Sequence, residues 1–126
     1  MRAMTEKTTK KPGKRGVPEE VRLAVKAAQA RKGEDIRILD LRELSSFTDF
    51  FVVMNGNSSR HIAALLEAVE DGLKASGLRP LSVEGRDSAD WGLIDYGSFL
   101  VHIFSATARE HYALEKLWGD APKLDY

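Results

Sequence analysis

Three histidines, one serine-rich turn and a scatter of carboxylates are the side chains of this 126-residue chain that could do chemistry. The histidines are His61, His102 and His111. No two of them stand four residues apart, and there is no cysteine, so the paired-imidazole and thiolate patterns that hold transition metals are missing. His102 lies between Val101 and Ile103 in a β-prone run, where a lone imidazole is ordinarily a hydrogen-bonded packing residue. Neither a metal site nor a cofactor is expected.

The turn Gly56-Asn57-Ser58-Ser59 leads from an apolar run into a helix, the place of a nucleophilic serine or of a bound phosphate. Arg60 breaks the Gly-x-Ser-x-Gly pattern, and no Gly-Lys-Ser/Thr is present, so neither motif is complete. Asn57 or Ser58 reads more simply as a helix cap. The acids Asp35, Asp40, Asp49, Glu84, Asp87, Asp90 and Asp95 sit in or beside strands. Nucleotidyl transfer with divalent cations needs two carboxylates held together, commonly as Asp-x-Asp on one strand, and no Asp-x-Asp occurs. A chain without catalytic activity is expected, with a nucleotidyltransferase as the enzymatic alternative.

Asp95 asks for more. In Trp91-Gly92-Leu93-Ile94-Asp95-Tyr96-Gly97, alternation puts Trp91, Leu93 and Asp95 on one strand face and Gly92, Ile94 and Tyr96 on the other. An acid in line with a tryptophan suits an interaction surface. The competing reading makes Trp91 core and Asp95 the start of a hairpin.

The elements that position these residues follow from periodicity. Pro18, Glu19 and Glu20 open a helix with Val21, Ala24, Val25 and Ala28 on its apolar face, and Gly33 stops it. Ile36–Leu41 and Phe50–Met54 read as strands, the second apolar throughout and so covered on both faces. Ile62, Leu65, Leu66, Val69 and Leu73 stripe a second helix that Gly77 closes. Leu81–Glu84, Trp91–Tyr96 and Phe99–Phe104 are strands, the last two joined by a tight Gly97-Ser98 turn. Thr107 and Glu110 form a capping box for a last helix with Leu114, Leu117 and Trp118 on its apolar face, ended by Gly119 and Pro122. The sum is one α/β (α+β) domain: a mixed five-stranded sheet flanked by helices.

Composition is that of a soluble globular domain, 43% hydrophobic and 30% charged. No apolar run is long enough to span a bilayer, and no signal-peptide core follows the N-terminus; a cytoplasmic chain is expected. Net charge is zero but uneven. Residues 1–16 carry six basic side chains against Glu6, a balance of +5, and the remaining 13 basic and 18 acidic side chains leave −5 on residues 17–126. Residues 1–16 read as a disordered basic arm, either in contact with RNA phosphates or merely solvated. The acidic body would repel nucleic acid and could meet a basic protein.

Several separated segments resemble, in order, the ribosomal silencing factors, also called the Iojap family. They are Thr48-Asp49-Phe50-Phe51-Val52-Val53, Gly56-Asn57-Ser58 with His61, Glu84-Gly85, Trp91 to Gly97, Val101-His102-Ile103-Phe104, Arg109 with Tyr112, and Leu114-Glu115-Lys116-Leu117-Trp118. The resemblance covers about residues 18–122, and its specificity lies in the combined order. It implies a nucleotidyltransferase-like fold without catalytic carboxylates. It also implies a partner, large-subunit ribosomal protein fourteen, and a function: blocking the joining of ribosomal subunits so that translation is repressed when nutrients are scarce. A part in large-subunit biogenesis and self-association as a homodimer are further implications. The partner-facing residues would be Trp91, Leu93, Asp95 and Tyr96, with Glu84 beside them. His102, Arg109 and Tyr112 would be internal. Ser98 departs from the family's usual acid after Tyr-Gly, which bears on how tightly the partner is held.

Overall fold

Strand β2 (Phe50–Asn55) is buried at every position and lies inside a six-stranded sheet ordered β3-β4-β5-β2-β1-β6. A computed structural model describes residues 16–126; the basic arm read at 1–16 lies, but for Gly16, outside the described residues. The strands are β1 (Glu34–Asp40), β2, β3 (Ser82–Glu84), β4 (Trp91–Asp95), β5 (Phe99–Phe104) and β6 (Lys123–Asp125). Only β2 and β5 run parallel; the other neighbours are antiparallel.

The sheet has six strands where five were expected. The sixth, β6, pairs with β1 through Arg37–Asp125, Ile38–Leu124 and Leu39–Lys123. Three residues with one apolar side chain carry no periodic signal.

One sheet face is covered by α1 (Glu19–Ala30) and α2 (Ser59–Ala75). Val21, Ala24, Val25 and Ala28 of α1 and Ile62, Leu65, Leu66, Val69 and Leu73 of α2 meet Ile38, Val52, Val101 and Ile94 in the larger core. Each fully buried leucine there contributes about 2 kcal/mol. Ser58 caps α2 by accepting from the His61 amide. Gly92 lets α2 approach β4, since a Cβ there would stand 2.9 Å from Leu66 Cδ1.

The C-terminal segment lies on the other face. It forms α3 (Ala106–Tyr112) and α4 (Leu114–Leu117), and Leu39, Phe51, Val53, Phe104 and Ala108 make a smaller core with it. Two expectations are corrected here. The cap of α3 is Ser105, whose hydroxyl accepts from the Ala108 amide, so Thr107 falls inside the helix and forms no capping box. The cause is local: β5 ends at Phe104, and Ser105 is the residue with extended backbone. The single last helix is also broken, because Ala113 adopts φ 49°, ψ 48°. Beyond the break Leu117 is 73% exposed rather than packed.

Candidate functional site

The pleat of β4 sorts the sequence-derived candidates. Gly92 and Ile94 are buried beneath α2, and Trp91, Leu93 and Asp95 are half-buried on the opposite face. Register extends that face sideways. Glu84 pairs with Leu93, which pairs with His102; Ser82 pairs with Asp95, which pairs with Leu100; Trp91 pairs with Phe104. Paired residues point the same way, so Glu84, Trp91, Leu93 and Asp95 share one surface, with Glu84 exposed on the edge strand.

Tyr96 does not join them. It is 7% exposed within the larger core, stacked on Phe99 at 4.9 Å. Its hydroxyl is buried without a hydrogen-bond partner among the described residues. Burial, then the charge of Glu70, pushes its pKa up to about 12. The strand alternation that exposes Asp95 turns the next side chain inward.

Asp95 serves the hairpin as well as the surface. Its Oδ1 accepts from the Gly97 amide at 2.8 Å, fixing a turn in which Gly97 has φ +87°. Trp91 is likewise divided between core and surface. Its ring lies 4.6 Å from Tyr112 and 5.1 Å from Phe104, and its indole N–H donates to His102 Nδ1 at 3.2 Å.

That bond defines the state of His102. The ring is 4% exposed, and burial lowers its pKa to about 4, so it is neutral near pH 7. Nδ1 accepts, so the proton sits on Nε2. Nε2 is buried and has no hydrogen-bond partner among the described residues.

Other aromatics prolong the surface. Phe47 lies 6.3 Å from Phe51 and 6.4 Å from Trp118, and Phe51 lies 4.5 Å from His102. A band therefore runs from Phe47, 60% exposed, through Phe51, His102 and Trp91 to Tyr112, 47% exposed. Phe47 stands in the polar stretch Ser45-Ser46-Phe47-Thr48-Asp49, and no local pattern connects it to Trp91. The only available signal was an aromatic in an otherwise polar loop.

At the end of this face a cavity of about 700 Å³ is lined by Asp35, Arg37, Asn55, Arg109, Glu115 and Asp125. Lys116 also lines it, and both of its arginines are already engaged. Arg109 donates to both Glu115 oxygens, to the Asp35 carbonyl and to Asn55 Oδ1, and Arg37 pairs with Asp125 and Glu115. Among the described residues no group of three or more His, Asp or Glu is placed to hold a metal ion, and no helix is long and apolar enough to cross a membrane. The face thus combines an apolar band with the two carboxylates of Glu84 and Asp95.

Comparison with known proteins sets this surface in a family. The family model described as ribosomal silencing factor during starvation matches residues 14–126. The chain is 37% identical over 105 residues to Ribosomal silencing factor RsfS of Bacillus subtilis (strain 168), covering 83% of this chain and 89% of that one. It is 31% identical over 106 residues to the mouse protein named Mitochondrial assembly of ribosomal large subunit protein 1, covering 82% of this chain and 46% of that one. A crystal structure from Chromobacterium violaceum superposes with a TM-score of 0.78 at 37% identity, covering 80% and 84% of the two chains. The class is a mixed α/β domain whose bacterial relatives are named ribosomal silencing factors. This chain belongs to the ribosomal silencing factor family.

Proposed function

We propose that this chain binds the large ribosomal subunit through ribosomal protein fourteen, in the cytoplasm, and blocks joining of the small subunit by bulk, repressing translation under nutrient limitation. The observation that carries this reading is the sheet face beside α3, where Trp91 and Leu93 form an apolar centre flanked by the carboxylates of Glu84 and Asp95. Half-exposed aromatic and apolar groups ringed by one sign of charge suit a basic partner. The −5 balance of residues 17–126 adds long-range attraction to such a protein and repulsion from bare RNA. A nucleotidyltransferase-like ancestry without paired carboxylates belongs to the same proposal.

The test is light scattering of purified subunits brought together with increasing amounts of the protein. Dose-dependent loss of reassociation, relieved by Asp95→Lys, is the expected result. Unchanged reassociation with folded protein would remove the silencing mechanism.

A second reading, assistance in building the large subunit, is favoured by the name of the mouse relative. Accumulation of immature large subunits in cells lacking the protein, with normal reassociation in vitro, would support it. The arm at 1–16 is proposed as a weak rRNA contact; deleting it should weaken subunit binding modestly rather than abolish it. A homodimer is proposed too, and sedimentation of the purified chain tests it.

A further inference from the structure

His102 poses a hydrogen-bonding problem that the described residues do not solve. The Trp91 indole N–H occupies Nδ1, which leaves Nε2 as a donor, and that donor is buried with no acceptor among the described residues. Buried polar groups are nearly always paired, because an unmade bond forfeits the whole desolvation penalty. The neighbouring rings of Phe51, Trp91 and Phe104 can offer only weak π contacts in place of an oxygen. His102 stands in the row Glu84–Leu93–His102 of the face proposed for docking. The residues around it on that face, Trp91, Leu93 and Leu100, are themselves half exposed. A rotamer shift in Leu93 or Leu100, with the Trp91 indole kept on Nδ1, would open the donor to a docked molecule.

We infer that His102 Nε2–H is a donor held for the partner, and that it takes an uncharged carbonyl oxygen, from the main chain or an amide side chain of the docked ribosomal protein. The inference rests on the docking reading of this face. Charge selects the acceptor. Glu84 ends that row and Asp95 stands two residues along β4 from Leu93; both would repel a carboxylate or a phosphate, but not a neutral carbonyl. Trp91 becomes a positioning residue as well as a contact, since its indole holds the His102 ring in the tautomer that donates from Nε2. Selectivity follows from the cost of mismatch: a partner that buries His102 and brings no acceptor keeps the unmade bond, and one that supplies the carbonyl relieves it.

The experiment titrates the ¹⁵N-labelled full chain with purified ribosomal protein fourteen and follows the His102 Nε2–H resonance. Binding is measured in parallel for wild type, His102→Phe and His102→Gln. Phenylalanine fills the space without a donor, and glutamine places an amide N–H close to the position of Nε2. Expected are a downfield shift and slower water exchange of Nε2–H at saturation. Loss of affinity of about tenfold in His102→Phe, with recovery to within about threefold of wild type in His102→Gln, is expected too. Wild type that binds while Nε2–H stays unmoved, or His102→Phe that binds within threefold of wild type, overturns the inference and leaves the docking reading standing. Wild type that does not bind removes both. A shift that grows with protein concentration and needs no partner would assign the acceptor to a second copy of the chain and overturn the inference. Should His102→Phe fail to fold, the wild-type resonance alone decides.

Discussion

Arg109 grips Glu115 with two nitrogens, at 3.2 and 2.8 Å, across the backbone break at Ala113. The same guanidinium reaches the Asp35 carbonyl and Asn55, so one side chain ties α3 and α4 to the start of β1 and the end of β2. The hydrogen bond from Arg109 holds the Glu115 carboxyl below its usual range, against burial and with help from the charges of Arg109 and Arg37. A depressed carboxylate stabilises the fold at pH values above its ordinary range, and that contribution disappears as pH falls through the depressed value. Glu115→Gln should therefore cost about 1–3 kcal/mol at pH 7 and almost nothing in strong acid. Urea unfolding of both proteins at several pH values measures the difference.

His102 should give a second, separate acid sensitivity. Burial lowers its pKa to about 4, so between about pH 6.5 and 4 the unfolded chain takes up a proton that the folded chain refuses. Stability falls across that window by about 3 kcal/mol, at 1.4 kcal/mol per pH unit, and this residue adds no further loss below it. His102→Phe removes the window. Denaturation midpoints of wild type and variant at pH 7, 5.5 and 4 should converge downward only for the wild type.

The elements with a strong period were legible in the sequence. The α2 stripe and the unbroken apolar run of β2 gave both elements and their burial, because many residues repeat one signal. Alternation in β4 gave the facing of Trp91, Leu93 and Asp95 before any coordinates. It also placed Tyr96 opposite, and only the family resemblance drew that residue onto the docking surface. What stayed hidden depends on tertiary contact. β6 is held by pairing with β1 and not by its own pattern. The left-handed turn at Ala113 falls on a residue with no propensity for it, and the Arg109–Glu115 pair spans that turn. The aromatic band joins Phe47 to Trp91 across 44 positions of sequence, which no local pattern reports.

The buried side of β4 should tolerate less change than its surface side. A methyl at Gly92 would meet Leu66 Cδ1 at 2.9 Å and Ile62 Cγ2 at 3.1 Å, so Gly92→Ala must displace these packed side chains of α2. A destabilisation of about 1–3 kcal/mol is expected. Tyr96→Phe is the contrasting change: it removes only a buried hydroxyl without a partner, and should leave stability unchanged or raise it by up to about 1 kcal/mol. Thermal melts of the two variants should move in opposite directions, or the second not at all. Partner affinity of Tyr96→Phe should equal that of wild type.

Asp95 carries two roles that separate variants can divide. Its Oδ1 closes the hairpin by accepting from the Gly97 amide, and its half-exposed carboxylate faces outward beside Trp91 and Leu93. Asparagine keeps an acceptor oxygen in the same place and removes the charge. Lysine removes both and reverses the sign. If the charge pairs with a cation of the partner, Asp95→Asn should melt within a few degrees of wild type and still bind less well. Asp95→Lys should lose about 2–5 kcal/mol of binding and also some hairpin stability. Calorimetric titration against the isolated ribosomal protein, run beside melts of each variant, separates the effects. Equal affinity for all three proteins would confine Asp95 to the turn and leave Trp91, Leu93, Glu84 and the inferred His102 donor as the proposed contact.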